Sequence, residues 1–420
     1  MSLHGETPAV KTPDLAPEID ALHETEPAGH AIELSVVIPC LNEVRSLGKR
    51  VRQAQEVLHE AGVVGEVIVA DNGSTDGSAE SAEEAGAQVV RVPARGYGNA
   101  IMAGVAAARG KFVLIADADE SHDLTHIPRF LAELRRGQDL VMGNRFSGGI
   151  TKGAMPFLHQ YLGNPVLTGL GRLFFKSRCG DFHCGMRGFR KECFERMDVR
   201  STGMEFASEM VVKATLLRMK VSEVATIQLP DGRDRPPHLR TWQDGWRHLR
   251  FLLMYSPRWL FLYPGALLIL LGVAGCAWLL AGPTPMDGVV FDAWTLAYAF
   301  AAVLVGFQFL AFALFTKVFA ISEGLLPDDP RLARMFRYIT LETGLAAGAI
   351  LVAAGIGGTI IAIVKVTLGT AGLDQTLPAA LSSAFSLALG VEVICSSFFL
   401  SILGLRRRSA PGLIPFPDAE

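Results

Sequence analysis

Charge is scarce in this sequence and nearly balanced. Asp, Glu, Lys and Arg make up only 19% of 420 residues, and the formal net charge is −3. That balance argues neither for nor against a nucleic-acid partner, but no RNA- or DNA-binding motif occurs, so none is expected. Cysteine is sparse as well. Cys40, Cys179, Cys184, Cys193, Cys276 and Cys395 form no Cys-x-x-Cys pair, which excludes a small-domain disulfide framework. Cys179, His183 and Cys184 lack a fourth ligand at zinc-site spacing, so packed, reduced thiols are expected. No signal-peptide pattern opens the chain. Residues 1–32, rich in Pro, Glu, Thr and Ala without periodicity, are expected to be a disordered tail.

What is abundant is apolar. Half of the residues are hydrophobic, the mean hydropathy is +0.31, and the excess lies after about residue 259. A soluble domain followed by a membrane domain is the expectation. Four stretches, at 259–281, 294–320, 341–366 and 378–404, exceed the roughly 20 residues that one span needs. Arg331, Arg334 and Arg337 lie between the second and third, and Arg406–Arg408 follow the fourth, whereas 282–292 and 367–377 carry neither Lys nor Arg. By the positive-inside rule both termini and the soluble domain face the cytoplasm. Lys317, Glu342 and Lys365 fall near span ends, where they can snorkel. Glu392 lies deeper, where a functional and a helix-packing role are both open.

The soluble part alternates strand and helix. Leu34–Pro39, Val64–Ala70, Gln88–Val92, Phe112–Ala116 and Asp139–Asn144 read as strands. Helices are expected at about 44–61, where Leu47, Val51, Ala54 and Leu58 recur at helical spacing, and at 78–86, 99–109 and 127–136. This predicts an α/β fold with a doubly wound, mostly parallel sheet. Three strand ends carry polar clusters: Asn42/Glu43, Asp71/Asn72 and Asp117/Asp119. Parallel strands put such ends on one edge, where open α/β sheets bind ligands. Two carboxylates one residue apart suit a hard divalent cation, Mg²⁺ or Mn²⁺. Gly96-x-Gly98 is either a phosphate loop or a turn that needs positive φ. Arg145, at the end of a strand, can pair with a phosphate or with an aspartate.

Residues 150–176 mix Gly, Pro and aromatics with helical stretches such as Pro165–Phe175 and are expected to lie partly on a membrane surface. Asp181–Arg190 reads as a polar-ended turn. From Asp231 onward come Arg233, Arg235, His238, Arg240, Arg247 and His248, interleaved with Trp242 and Trp246. An amphipathic helix at 241–254 beside a span reads as interfacial, and the arginines before it suit phosphate. The expected domains are therefore the tail at 1–32, a catalytic domain at 33–232, a basic interfacial segment at 233–258, four spans within 259–405, and a cytoplasmic tail at 406–420.

Val36-Val37-Ile38-Pro39-Cys40-Leu41-Asn42-Glu43, Asp71-Asn72-Gly73-Ser74-Thr75-Asp76-Gly77-Ser78 and Asp117-Ala118-Asp119, in that order, resemble family 2 glycosyltransferases of the GT-A fold. The likeness covers roughly 34–230. Within the family it is similar to polyprenyl-phosphate (dolichyl-phosphate) mannosyl- and glucosyltransferases. The resemblance implies that Pro39, Asn42 and Glu43 border the nucleotide and that Asp71 contacts its base. It puts Asp117 near ribose and metal, and Asp119 on the metal that bridges the donor diphosphate. It places Arg145 and Arg187 on the acceptor side among the catalytic residues, and gives Arg233, Arg235, His238 and Arg240 the acceptor's phosphate. Ser121 stands where many dolichyl-phosphate mannose synthases have Gln. The implied reaction is inverting transfer of a hexose from a nucleotide sugar, of the UDP-glucose or GDP-mannose class, to a polyprenyl phosphate. A lipid monophosphate is already anionic, so no carboxylate base is required. Processive synthases carry Gln-x-x-Arg-Trp, which does not occur here. A hydroxyl acceptor would need a base, for which Asp181 or Glu205 is available. A non-catalytic nucleotide-sugar sensor or scaffold is the remaining alternative. The sequence leaves homo-oligomerisation open.

Overall fold

The computed structural model describes residues 32–232, 241–279, 284–286, 289–327 and 329–404. Arg233, Arg235, His238 and Arg240 lie outside the described residues, as do the tails at 1–31 and 405–420. The chain divides into two compact units at Phe251/Leu252.

In the first unit, strand β1 (Leu34–Cys40) leads to helix α1 (Val44–Glu60), β2 (Gly65–Asp71), α2 (Ser78–Glu84), β3 (Gln88–Arg91) and α3 (Tyr97–Ala107). Then follow β4 (Phe112–Ile115), α4 (Ile127–Arg135), β5 (Leu140–Asn144), the single turn α5 (Arg145–Gly148) and α6 (Asn164–Phe175). The unit ends with β6 (Arg187–Arg190), α7 (Lys191–Met197), α8 (Phe206–Leu216), β7 (Val221–Ala225) and α9 (Thr241–Met254), which runs across the division. The seven strands form one sheet in the order β3-β2-β1-β4-β6-β5-β7. Only β6 runs against its neighbours. The expected doubly wound, mostly parallel sheet is therefore present, with one added reversal.

The helical spacing in α1 is used as the sequence implies. Leu47, Val51, Ala54 and Leu58 are buried against the sheet, and each large side chain contributes roughly 1.5–3 kcal/mol. The segment 187–190 departs from the sequence reading. Its Arg-Gly-Phe-Arg pattern has no apolar alternation, yet it pairs with β4 on one side and β5 on the other. Backbone pairing to both neighbours makes it a strand, where composition gave only a turn.

In the second unit, α10 (Tyr263–Leu279), β8 (Thr284–Met286), β9 (Val289–Phe291), α11 (Ala293–Ser322), the short α12 (Pro330–Phe336), α13 (Leu341–Thr367) and α14 (Leu373–Gly404) follow in order. Four helical segments, Arg258–Leu279, Ala293–Ser322, Leu341–Thr367 and Gln375–Gly404, are long and apolar enough to cross a membrane. Leu270, Ile350 and Ile361 on their outer faces are exposed, the pattern of helices solvated by lipid rather than water. Small residues bring α13 and α14 close: a Cβ at Gly390 would lie 2.7 Å from the carbonyl oxygen of Gly348.

Candidate active site

The C-terminal ends of β2, β1 and β4 lie side by side. Cys40 pairs with Asp71, and Val37 with Ile115. The polar segments that follow these strands therefore open on one edge, and Pro39, Asn42, Glu43, Asp71, Asp117 and Asp119 share it. The loops after β1 and β2 are stitched together. Asn42 has φ 57, a left-handed conformation that Asn tolerates better than most residues. Its backbone N–H donates to Ser74 Oγ at 2.9 Å, and its Oδ1 accepts from the Thr75 N–H at 2.8 Å. The Glu43 N–H donates to Ser78 Oγ at 2.8 Å. Both Asp71 oxygens accept from the Ser74 N–H, at 3.2 and 3.3 Å. Asn72 ties the next loop, donating to the carbonyls of Val92 and Ala94 and accepting from the Gly96 N–H.

Gly96 and Gly98 serve close packing. Gly96 has φ 140, and a Cβ on it would lie 2.2 Å from the Thr202 carbonyl oxygen; one on Gly98 would lie 2.0 Å from that of Ser201. The opposing loop is anchored by Glu209, which accepts from the backbone N–H groups of Arg200 and Ser201 and pairs with buried Lys213 at 2.9 Å.

The two carboxylates after β4 are individually oriented. The Asp117 side chain is 26% exposed; its Oδ2 lies 3.2 Å from His122 Nε2. The same carboxylate lies against Gly185, where a Cβ would fall 2.1 Å from Oδ2. Asp119 is buried, and its Oδ1 accepts from both the N–H (3.0 Å) and the hydroxyl of Ser121. Ser121 thus aims Asp119. Among the described residues no three His, Cys, Asp or Glu side chains group to hold a metal ion. Two hard carboxylate ligands fit Mg²⁺ or Mn²⁺ when substrate phosphates and water supply the rest.

Arg145 and Arg187 are engaged within the protein. Arg145 makes a two-pronged pair with Asp181, Nε to Oδ2 at 2.7 Å and Nη2 to Oδ1 at 2.8 Å, and its N–H also donates to Oδ2. Burial pushes the Asp181 carboxyl up, but the Arg145 guanidinium more than reverses this and holds it below the usual range. Arg187 is fully buried and donates to three backbone carbonyls: Cys184 at 2.8 Å, Ala207 at 2.6 Å and Phe182 at 2.9 Å. It clamps the turn before β6 onto α8. Beside it, Ser208 Oγ lies 2.9 Å from His248 Nδ1 and 3.4 Å from His183 Nε2. Burial draws both imidazoles down, His248 to about 4 and His183 well below its ordinary value.

The sequence reading passed over His122, Gly185 and Ser208. His122 had a signal, since it follows an acidic pair by three residues. Gly185 and Ser208 had none, because each acts on a group distant in sequence. All six cysteines are free, and four are buried.

Comparison with known proteins bears on this arrangement. Glycosyl transferase family 2 matches residues 35–198, and the glycosyltransferase family 2 C-terminal transmembrane region matches 314–404. The low-salt glycan biosynthesis hexosyltransferase Agl6 of Haloferax volcanii is 34% identical over 373 residues, covering 88% of this chain and 89% of its own. From the same organism, glycosyltransferase AglJ is 34% identical over 40% of this chain and 56% of its own, and dolichyl-phosphate hexose transferase is 29% identical over 46% and 81%. Glucosyl-3-phosphoglycerate synthase from Mycobacterium tuberculosis aligns with TM-score 0.42 and 20% identity, over 55% of this chain and 85% of its own. With its strand-end aspartates and its four apolar helices, this chain belongs to glycosyltransferase family 2 and is an integral membrane hexosyltransferase.

Proposed function

We propose that the enzyme moves a hexose from a nucleoside-diphosphate sugar, of the UDP-glucose or GDP-mannose class, to a polyprenyl or dolichyl phosphate at the cytoplasmic membrane face, with inversion. The observation that carries this is the Asp117–Asp119 pair on the edge where β1 and β2 also end, in a chain that crosses the membrane. The name of the dolichyl-phosphate hexose transferase relative supports the acceptor class. So do exposed Phe157 and Tyr161, and Trp242, which is 79% exposed on α9; such side chains suit a bilayer interface.

Pro39, Asn42, Glu43 and Asp71 border the nucleoside. Asp119, aimed by Ser121, and Asp117, aimed by His122, hold Mg²⁺ or Mn²⁺ together with the donor diphosphate. When bound, the cation supplies Lewis-acid stabilisation of charge on the leaving diphosphate. Arg145 and Arg187 act by position: through Asp181 and the 182–184 carbonyls they fix the turn that carries Gly185 against Asp117. Arg233, Arg235, His238 and Arg240 supply positive charge for the acceptor. A phosphate oxygen of the lipid attacks the anomeric carbon, and the bond to the diphosphate breaks with its electron pair leaving on the nucleotide. An α-linked donor then gives a β-linked product.

A hydroxyl acceptor is the second reading. Asp181 suits it poorly as a base, being ion-paired and held deprotonated. Glu205 is the better candidate, because its Oε2 is shut off from solvent without a hydrogen-bond partner among the described residues.

The test uses full-length protein in detergent with Mg²⁺ or Mn²⁺, a short polyprenyl phosphate and a panel of UDP- and GDP-sugars. Transfer from one donor is expected, abolished by EDTA and reduced about 10³-fold or more in Asp119→Ala, with Glu205→Gln retaining transfer. Metal-dependent donor hydrolysis without lipid-linked sugar, or an α-linked product, would overturn the proposal.

A further inference from the structure

Arg50 has no part in the roles above, yet its placement is unusual for an arginine. It stands on the buried stripe of α1, three residues after Leu47 and four before Ala54, and is 2% exposed. Its Nη1 donates to Gln53 Oε1 at 2.9 Å. Its Nε and Nη2 are shut off from solvent and have no hydrogen-bond partner among the described residues. Unmet N–H groups on a buried cation are costly and call for a reason. Burial draws the guanidinium pKa down, while the carboxylates of Asp119, Asp117, Glu120 and Asp123, in that order, hold it up. The group stays charged in any case. The preceding residue reaches the same loop from outside: Lys49 Nζ lies 2.6 Å from Glu120 Oε1. Leu47 and Val51, which flank Arg50 on α1, share one buried cluster with Ala118 and Leu124, so the helix presents one solvated and one enclosed cation to the loop at 117–123.

We infer that Arg50 is a fixed counter-cation which opposes the divalent metal in the field of Asp117 and Asp119. It weakens metal binding enough for the nucleoside diphosphate and its cation to leave after transfer. The inference rests on the reading of Asp117 and Asp119 as the metal-holding pair. Its physical basis is charge. A positive group that cannot leave lowers the attraction of both carboxylates for any second cation. Without the metal, it offsets the repulsion among four carboxylates crowded into one loop. Arg50 is a positioning residue by this account, and touches no substrate.

Mn²⁺ binding to the full-length protein in detergent tests it, read as loss of the free-ion paramagnetic resonance signal, alone and with UDP or GDP. Removing the charge in Arg50→Met or Arg50→Gln is expected to tighten Mn²⁺ about tenfold. Arg50→Lys, which keeps the charge, should bind as the wild type does. A merely structural role would weaken binding in all three. Unchanged or weaker binding in Arg50→Met and Arg50→Gln would overturn the inference, and so would failure of both to fold. If the wild type binds no Mn²⁺, or Asp119→Ala keeps full affinity, the metal-holding reading itself falls, and that result is distinguishable from the others.

Discussion

Gly185 contributes to the site by what it omits. The Asp117 carboxylate occupies the space a side chain would take, with Oδ2 only 2.1 Å from the position of a Cβ. Gly185→Ala should displace that carboxylate while leaving the sheet intact. Misplacement by about 1 Å costs roughly 10²-fold in rate, so transfer is expected to fall by that order, with melting temperature nearly unchanged. Steady-state kinetics beside a thermal melt checks both. The aspartates themselves were legible in the sequence, because an apolar run ending in Asp-x-Asp is a local pattern. That Arg145 would pair with an aspartate was one of two open readings, but its choice of Asp181 and the three carbonyls around Arg187 were not legible. Their partners come from segments whose meeting depends on the completed fold. Arg50 was hidden for a different reason: a stripe of Leu47, Val51, Ala54 and Leu58 describes a core face, and nothing in it flags a buried cation.

At the scale of elements, α9 is joined to the catalytic unit by the His248–Ser208–His183 contact. Both imidazoles are held neutral, with pKa values below their ordinary 6.5, in His248 to about 4. A depressed histidine favours the folded arrangement above about 6.5, and that contribution is lost as pH falls through the folded value. For His248 it amounts to about 3 kcal/mol when fully lost. Acidification from pH 7 towards pH 4 should therefore loosen the first turns of α9, measured as a change in Trp246 fluorescence. His248→Gln should flatten that response, since glutamine keeps a polar partner for Ser208 without the charge. Element boundaries from β1 to β4 followed the sequence closely because each strand is short and apolar and each helix periodic. Strand β6 escaped, since Arg187–Arg190 earns its conformation from two neighbours and not from its own residues.

At the scale of the whole molecule, membrane orientation is set by Lys and Arg. Three arginines follow the second span, and none lies in 282–292 or 367–377. With Cys276 and Cys395 replaced by Ser, Thr370→Cys should react with an impermeant maleimide in intact cells. Arg334→Cys should react only after permeabilisation. The reverse pattern would put the catalytic unit on the wrong side for cytoplasmic nucleotide sugars.

The antiparallel strand also bears on how this enzyme comes to exist. Residues 112–115 pair with 187–190, so the wall at Gly185 reaches Asp117 only when the chain has closed a loop of more than sixty residues. Contacts of such long sequence separation are slow to form. A chain emerging from the ribosome can complete β1, β2, β3 and β4 first, and for that interval it carries Asp117 and Asp119 with no wall beside them and an unpaired edge on β4. Catalytic competence is thus a late event in the life of the polypeptide, and a product truncated before Arg187 would be a sticky half-sheet rather than a weak enzyme.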